Sequence, residues 1–70
     1  MVNTKKLKGI MAENGISQAQ MAKVLGITPK TFYAKMNKKI FDSDEIETMI
    51  KKLEIPTEHC MSIFFASKVT

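Results

Sequence analysis

Residues 17–37, SQAQMAKVLGITPKTFYAKMN, decide the fold. Ser17 followed three residues later by Gln20 fits a capping box, in which the serine oxygen accepts from a first-turn amide while the glutamine reaches back to the cap amide. A helix therefore starts at Gln18. Met21 and Leu25 are one turn apart on its inner face, Ala22 is small enough for a neighbouring backbone to come close, and Gly26 ends it. Thr28-Pro29 restarts the chain as a helix, because threonine caps and proline is tolerated at the first helical position, where its missing N–H has no partner. Ile27 before that cap and Phe32 after it form a hydrophobic staple. The second helix runs to about Asn37, with Phe32 and Met36 facing inward. Two short helices joined by a tight turn make a helix-turn-helix.

The flanks carry the same kind of signal. Leu7, Ile10 and Met11 recur at i, i+3, i+4, which predicts a helix from about Thr4 to Asn14 with Gly15 in a left-handed position after it. Downstream, Phe41, Asp42, Glu45 and Ile46 repeat the staple and capping-box pattern, and Ile46, Met49, Ile50 and Leu53 continue one apolar face. Pro56 and Thr57 open a fifth helix to about Ile63. The last eight residues, IFFASKVT, are β-branched and aromatic without helical periodicity, which predicts a short extended tail over 63–70. The expected architecture is all-α, five helices in one domain spanning 1–70. No repeat or linker divides it.

Charge is distributed unevenly. Up to Phe41 the chain has eight lysines against one acid, Glu13, a formal +7; from Asp42 onward three lysines meet six acids, a formal −3. The basic half holds the helix-turn-helix, so a polyanion would draw that half in first. There is no arginine.

On the second helix of the motif, Lys30, Tyr33, Ala34 and Asn37 fall within an outer stripe of ~100°, opposite Phe32 and Met36. Such a stripe fits the major groove of double-stranded DNA. Lys30 can donate to guanine, Tyr33 offers a hydroxyl and a ring edge, Ala34 can meet a thymine methyl, and Pro29 adds an apolar contact. Gln18 at the start of the preceding helix is placed for a phosphate, where Ser17 either assists or only caps, and Lys38, Lys39 and the main chain around Phe41 are placed for another. Without a guanidinium the stripe lacks the commonest bidentate guanine contact, so DNA shape contributes to recognition.

Taken together, Ser17-Gln18, Ala22, Leu25-Gly26-Ile27-Thr28, Phe32, Asn37-Lys38-Lys39, Phe41 and Glu45-Ile46 resemble the Cro/repressor-type helix-turn-helix regulators of bacteria and their phages, the Xre family. The resemblance covers most of the chain and implies a lambda-repressor-like DNA-binding domain. It further implies phosphate contact by Gln18, approach to bases by Pro29, Lys30, Tyr33 and Ala34, and a backbone contact by Asn37. Two positions depart from the pattern: Lys39 stands in a loop that often contains glycine, and Pro29 replaces a side chain that often reads a base. The implied role is a Cro-like repressor that occupies an operator. The tail also looks like the ending of small Cro-like phage and prophage regulators, and Ile63, Phe64 and Phe65 either close the core or pair with a second subunit. A homodimer is expected, because helix-turn-helix proteins read half-sites about one helical turn, ~34 Å, apart.

Other functions find little support. His59 and Cys60 are adjacent, so their side chains diverge on a helix and form no dyad. Asp44 and Glu47 sit on a solvated helix face. Gly9, Gly15 and Gly26 are scattered singly, and no Cys/His spacing suits zinc. No enzyme activity, cofactor, metal or small-molecule substrate is expected. Cys60 is the one cysteine and the longest apolar run, Ile63 to Ala66, is far too short for a membrane, so a cytoplasmic location without membrane association is expected. The competing reading is a protein-interaction module that uses the basic face on an acidic partner, or an antitoxin that binds both DNA and a partner.

Overall fold

The computed structural model describes residues 1–65. Five helices follow one another: α1 (Thr4–Glu13), α2 (Gln18–Leu25), α3 (Pro29–Lys38), α4 (Ser43–Leu53) and α5 (Thr57–Phe64). No strand occurs among the described residues. The all-α reading therefore holds, with helix starts where the caps put them. Ser17 accepts from the Gln20 amide at 3.1 Å while the Gln20 side chain accepts from the Ser17 amide at 2.8 Å. Asp42 and Glu45 form the same reciprocal pair, both bonds at 2.9 Å. Thr28 caps α3, with Pro29 in its first turn. Each such cap satisfies amides that the first helical turn leaves without partners, and is worth about 1 kcal/mol.

Helix ends are equally regular. After α1, the Gly15 amide donates to Ala12 and the Ile16 amide to Met11, the five-to-two and six-to-one bonds, respectively, of a Schellman motif. The same two bonds recur after α2 around Gly26, after α3 around Lys39 and after α4 around Glu54. This motif needs a left-handed residue, and Gly15 and Gly26 supply it with φ of 68° and 75°. Lys39 and Glu54 supply it with φ of 62° and 52°, a conformation that a side chain with a Cβ disfavours. The departure at Lys39 noted in the sequence is thus met without changing the turn: lysine takes the glycine conformation.

The core gathers Leu7 and Met11 of α1, Met21 and Ala22 of α2, Phe32 and Met36 of α3, Met49 and Leu53 of α4, and Ile63 and Phe64 of α5. Phe32 is fully buried and its ring lies 5.5 Å from that of Phe41, tilted by 54°. That pair fixes α3 against the turn that follows it, an aromatic contact worth about 1 kcal/mol beyond its area. α2 packs on both α3 and α4, and α1 packs on α5.

Two features correct the sequence reading. α5 reaches Ile63, where the fifth helix is expected to end, and continues through Phe64 of the expected extended tail; both are 2% exposed, so burying them on a helical face outweighs the strand preference of their side chains. Only Phe65 leaves the helix among the described tail residues, and 66–70 lie outside them. Second, Val2 is buried and its amide donates to the Lys39 carbonyl at 2.9 Å, while the Asn3 amide donates to the Ile63 carbonyl at 2.6 Å. The start of the chain thereby ties the ends of α3 and α5 together. Asn3 also caps α1 through its side chain.

Candidate nucleic-acid interface

α3 is held by its inner side chains and leaves its outer face open. With Phe32 and Met36 buried, helical geometry turns Lys30, Tyr33, Ala34, Asn37 and Lys38 outward, and all five are exposed, as is Pro29 at the first turn. Tyr33 stands out, with half its surface in solvent despite its size. A ring so exposed on a helix held rigidly at both ends is available to a partner. The α3 start is locked further by a 2.9 Å bond between the hydroxyls of Thr28 and Thr31.

Beside this face lies a cleft of about 340 Å³, lined by Thr4 and Lys8 of α1, Gln18 of α2, Tyr33, Met36 and Asn37 of α3, and Lys39. Three of the backbone-contact candidates from the sequence, Gln18, Asn37 and Lys39, meet here, and Tyr33 joins them. None of the lining residues is acidic. Two ammonium groups from separate elements, two side-chain amides and two hydroxyls around one opening provide many donors and a positive field, the chemistry that a phosphate needs. The first turn of α2 adds its amide dipoles at Gln18.

Lys8 and Thr4 were not singled out from the sequence. Their i, i+4 spacing places them on one side of α1, but which side meets α3 depends on how α1 packs. The other sequence candidates stand elsewhere. Pro29, Lys30, Ala34 and Lys38 are outside the cleft on the open face of α3. Ser17 is engaged in its capping box. Phe41 has its side chain in the core, leaving only its main chain for an outside partner. Of the three tail residues, Ile63 and Phe64 close the core of the same chain, and Phe65 is 39% exposed.

One lysine of the basic half is engaged within the fold. Lys35 on α3 places its ammonium 3.1 Å from Glu45 Oε1 at the start of α4. The same Glu45 oxygen accepts from the Asp42 amide, so one buried carboxylate joins the α4 cap to α3. Lys35 is therefore a clamp on the helix rather than a free positive charge.

The helix-turn-helix has a counterpart among known proteins. A family model described as bacterial regulatory protein, Fis family, matches residues 3–38, just over half of the chain. The match begins at Asn3, the α1 cap, and ends at Lys38, the last residue of α3, so it takes in α1, α2 and α3 whole. The chain belongs to this family and is a helix-turn-helix, DNA-binding regulator of transcription. No curated protein and no solved structure matches it significantly. No helix among the described residues is long and apolar enough to cross a membrane, and no group of three potential metal ligands occurs among them.

Proposed function

We propose that this protein is a Cro-like transcriptional repressor, a single domain over 1–70 that binds a short, nearly palindromic operator as a homodimer in the cytoplasm and blocks a promoter by occupying it. The observation that carries the reading is the cleft in which Gln18, Asn37, Lys39 and Lys8 converge beside the exposed face of α3. A backbone phosphate seated there sets the register, and α3 then enters the major groove with Pro29, Lys30, Tyr33 and Ala34 toward base edges. Ser17, Lys38 and the main chain at Phe41 contact the flanking backbone. Repression and the Cro-like role come from the resemblance of Ser17 to Ile46 to that group of regulators, which shares the DNA-binding helix-turn-helix with the Fis family match. The chemistry is recognition alone, with no catalysis, cofactor, metal or small-molecule substrate.

Selection of bound duplexes from a random pool tests DNA binding, symmetry and half-site spacing in one experiment. The expected result is a two-fold symmetric site with half-sites separated by about one helical turn, ~34 Å. Binding should weaken steeply as salt rises, through release of counterions. Indifference to the duplex, with tight binding to an acidic protein, would refute this proposal and favour the interaction-module or antitoxin reading.

A further inference from the structure

Gly9 sits in the interior of α1, in ordinary helical backbone, and a Cβ built there meets nothing within 4 Å. A mid-helix glycine lowers helix stability by up to about 1 kcal/mol relative to alanine. Nothing among the described residues requires it. It lines a groove of about 590 Å³ between α1 and α5, whose apolar floor includes Ile10, Ile55 and Ile63. α5 runs antiparallel to α1 here, since Asn3 at the α1 start bonds to Ile63 near the α5 end, while Asn14 and Pro56 share the other end of the groove.

The rims carry opposite charges at opposite ends. Lys6 stands at one end, and Glu13 and Glu54 line the groove with it. Lys6, Gly9, Ile10 and Glu13 form an i, i+3, i+4, i+7 stripe along α1, with Lys6 and Glu13 about 10 Å apart along the axis. The midpoint of that charge pair falls between Gly9 and Ile10. A two-fold axis through this point sets Lys6 against Glu13 of a second copy and Glu13 against its lysine, which is the self-complementary pattern an isologous dimer requires. The missing Cβ at Gly9 lets two helix backbones approach where they cross.

We propose that the α1–α5 groove is the self-association surface of this protein, occupied by α1 of a second copy in antiparallel crossing at Gly9. On the helical wheel this stripe is roughly opposite Thr4 and Lys8, so pairing leaves the donor-lined cleft open. The proposal supplies a surface for the dimer inferred above and rests on that part of the reading. It does not depend on DNA binding, and so is measured without DNA.

Sedimentation equilibrium over a wide concentration range, on the full chain, tests it. The wild type is expected to self-associate, and Lys6→Glu or Glu13→Lys to weaken the dimer on the order of tenfold, because each puts like charges in two symmetric contacts. The double variant, Lys6→Glu with Glu13→Lys, should restore it. Gly9→Leu should abolish association while its circular dichroism melt, taken at a concentration where the wild type is also monomeric, stays at or above that of the wild type, since the monomer has room for the side chain. A wild type that remains monomeric to millimolar concentration, a double variant that fails to recover, or a Gly9→Leu protein that still dimerises would overturn the proposal. Loss of DNA selectivity with the charge-swap pattern intact would count against the operator reading alone.

Discussion

Replacing Lys39 by glycine should stabilise the fold and weaken DNA binding at the same time. Lys39 follows α3 with φ 62° and ψ 34°, in the left-handed region. A residue with a Cβ loses roughly 1–2 kcal/mol there, part of which glycine forfeits through its more flexible unfolded chain. The bonds of the turn are all main-chain: Lys39 and Ile40 amides to Met36 and Lys35 carbonyls, both at 3.2 Å, and the Val2 amide to the Lys39 carbonyl. Glycine keeps every one of them. The net gain is about 1 kcal/mol, which for a domain of this size raises the melting temperature by about 4–8 °C. Lys39→Ala removes the same charge but keeps the strain, so it should melt close to the wild type. Both variants withdraw one ammonium from each cleft, two per bound dimer, so the slope of log affinity against log salt should fall by about 1.8 in each. Thermal denaturation followed by circular dichroism, and fluorescence anisotropy on a labelled operator at several salt concentrations, give the two readouts. Equal melting of the glycine and alanine variants would refute the strain argument, and an unchanged salt slope would refute the phosphate role of Lys39.

Glu54→Gly makes the same backbone change after α4, where φ is 52°, and should raise the melting temperature without altering the salt slope. Lys35→Met should leave the salt slope as it is, because that ammonium is neutralised by Glu45, whereas Lys38→Met should lower it by about 1.8 for the dimer and weaken all duplexes alike. Glu45→Ala removes a cap bond and the Lys35 partner together, and a urea titration should show a loss of about 1–2 kcal/mol. Phe32→Ala should cost about 3–5 kcal/mol and leave the chain largely unfolded at room temperature, checked by loss of the cooperative melt.

Most of the fold was legible because its signals are local. Capping boxes at Ser17 and Asp42, Pro29 inside α3, and glycine after α1 and α2 each act within a few residues, and the structure places them as expected. The ends of α3 and α4 were harder, since Lys39 and Glu54 hold left-handed turns without the glycine that marks them. The extension of α5 past Ile63 to Phe64 was hidden for a different reason. Their side chains favour strands when considered alone, and only the apolar environment between α1 and the rest of the core makes a helix the better way to bury them.

The candidate site divides along the same line. Which side of α3 faces outward follows from the spacing of Phe32 and Met36, and the uneven spread of lysines indicates the half that a polyanion meets. Periodicity and charge are properties of neighbours in sequence, so one dimension is enough for them. Packing chose which lysines line the cleft: Lys8, more than twenty residues from α3, lines the same cleft as Asn37, while Lys35, on α3 itself, is drawn to Glu45. Those assignments depend on how α1 and α4 are rotated against α3. That rotation is set by the shared core of Leu7, Phe32, Met49 and Phe64, whose burial sums contributions from every helix at once and has no signature in any single stretch of chain.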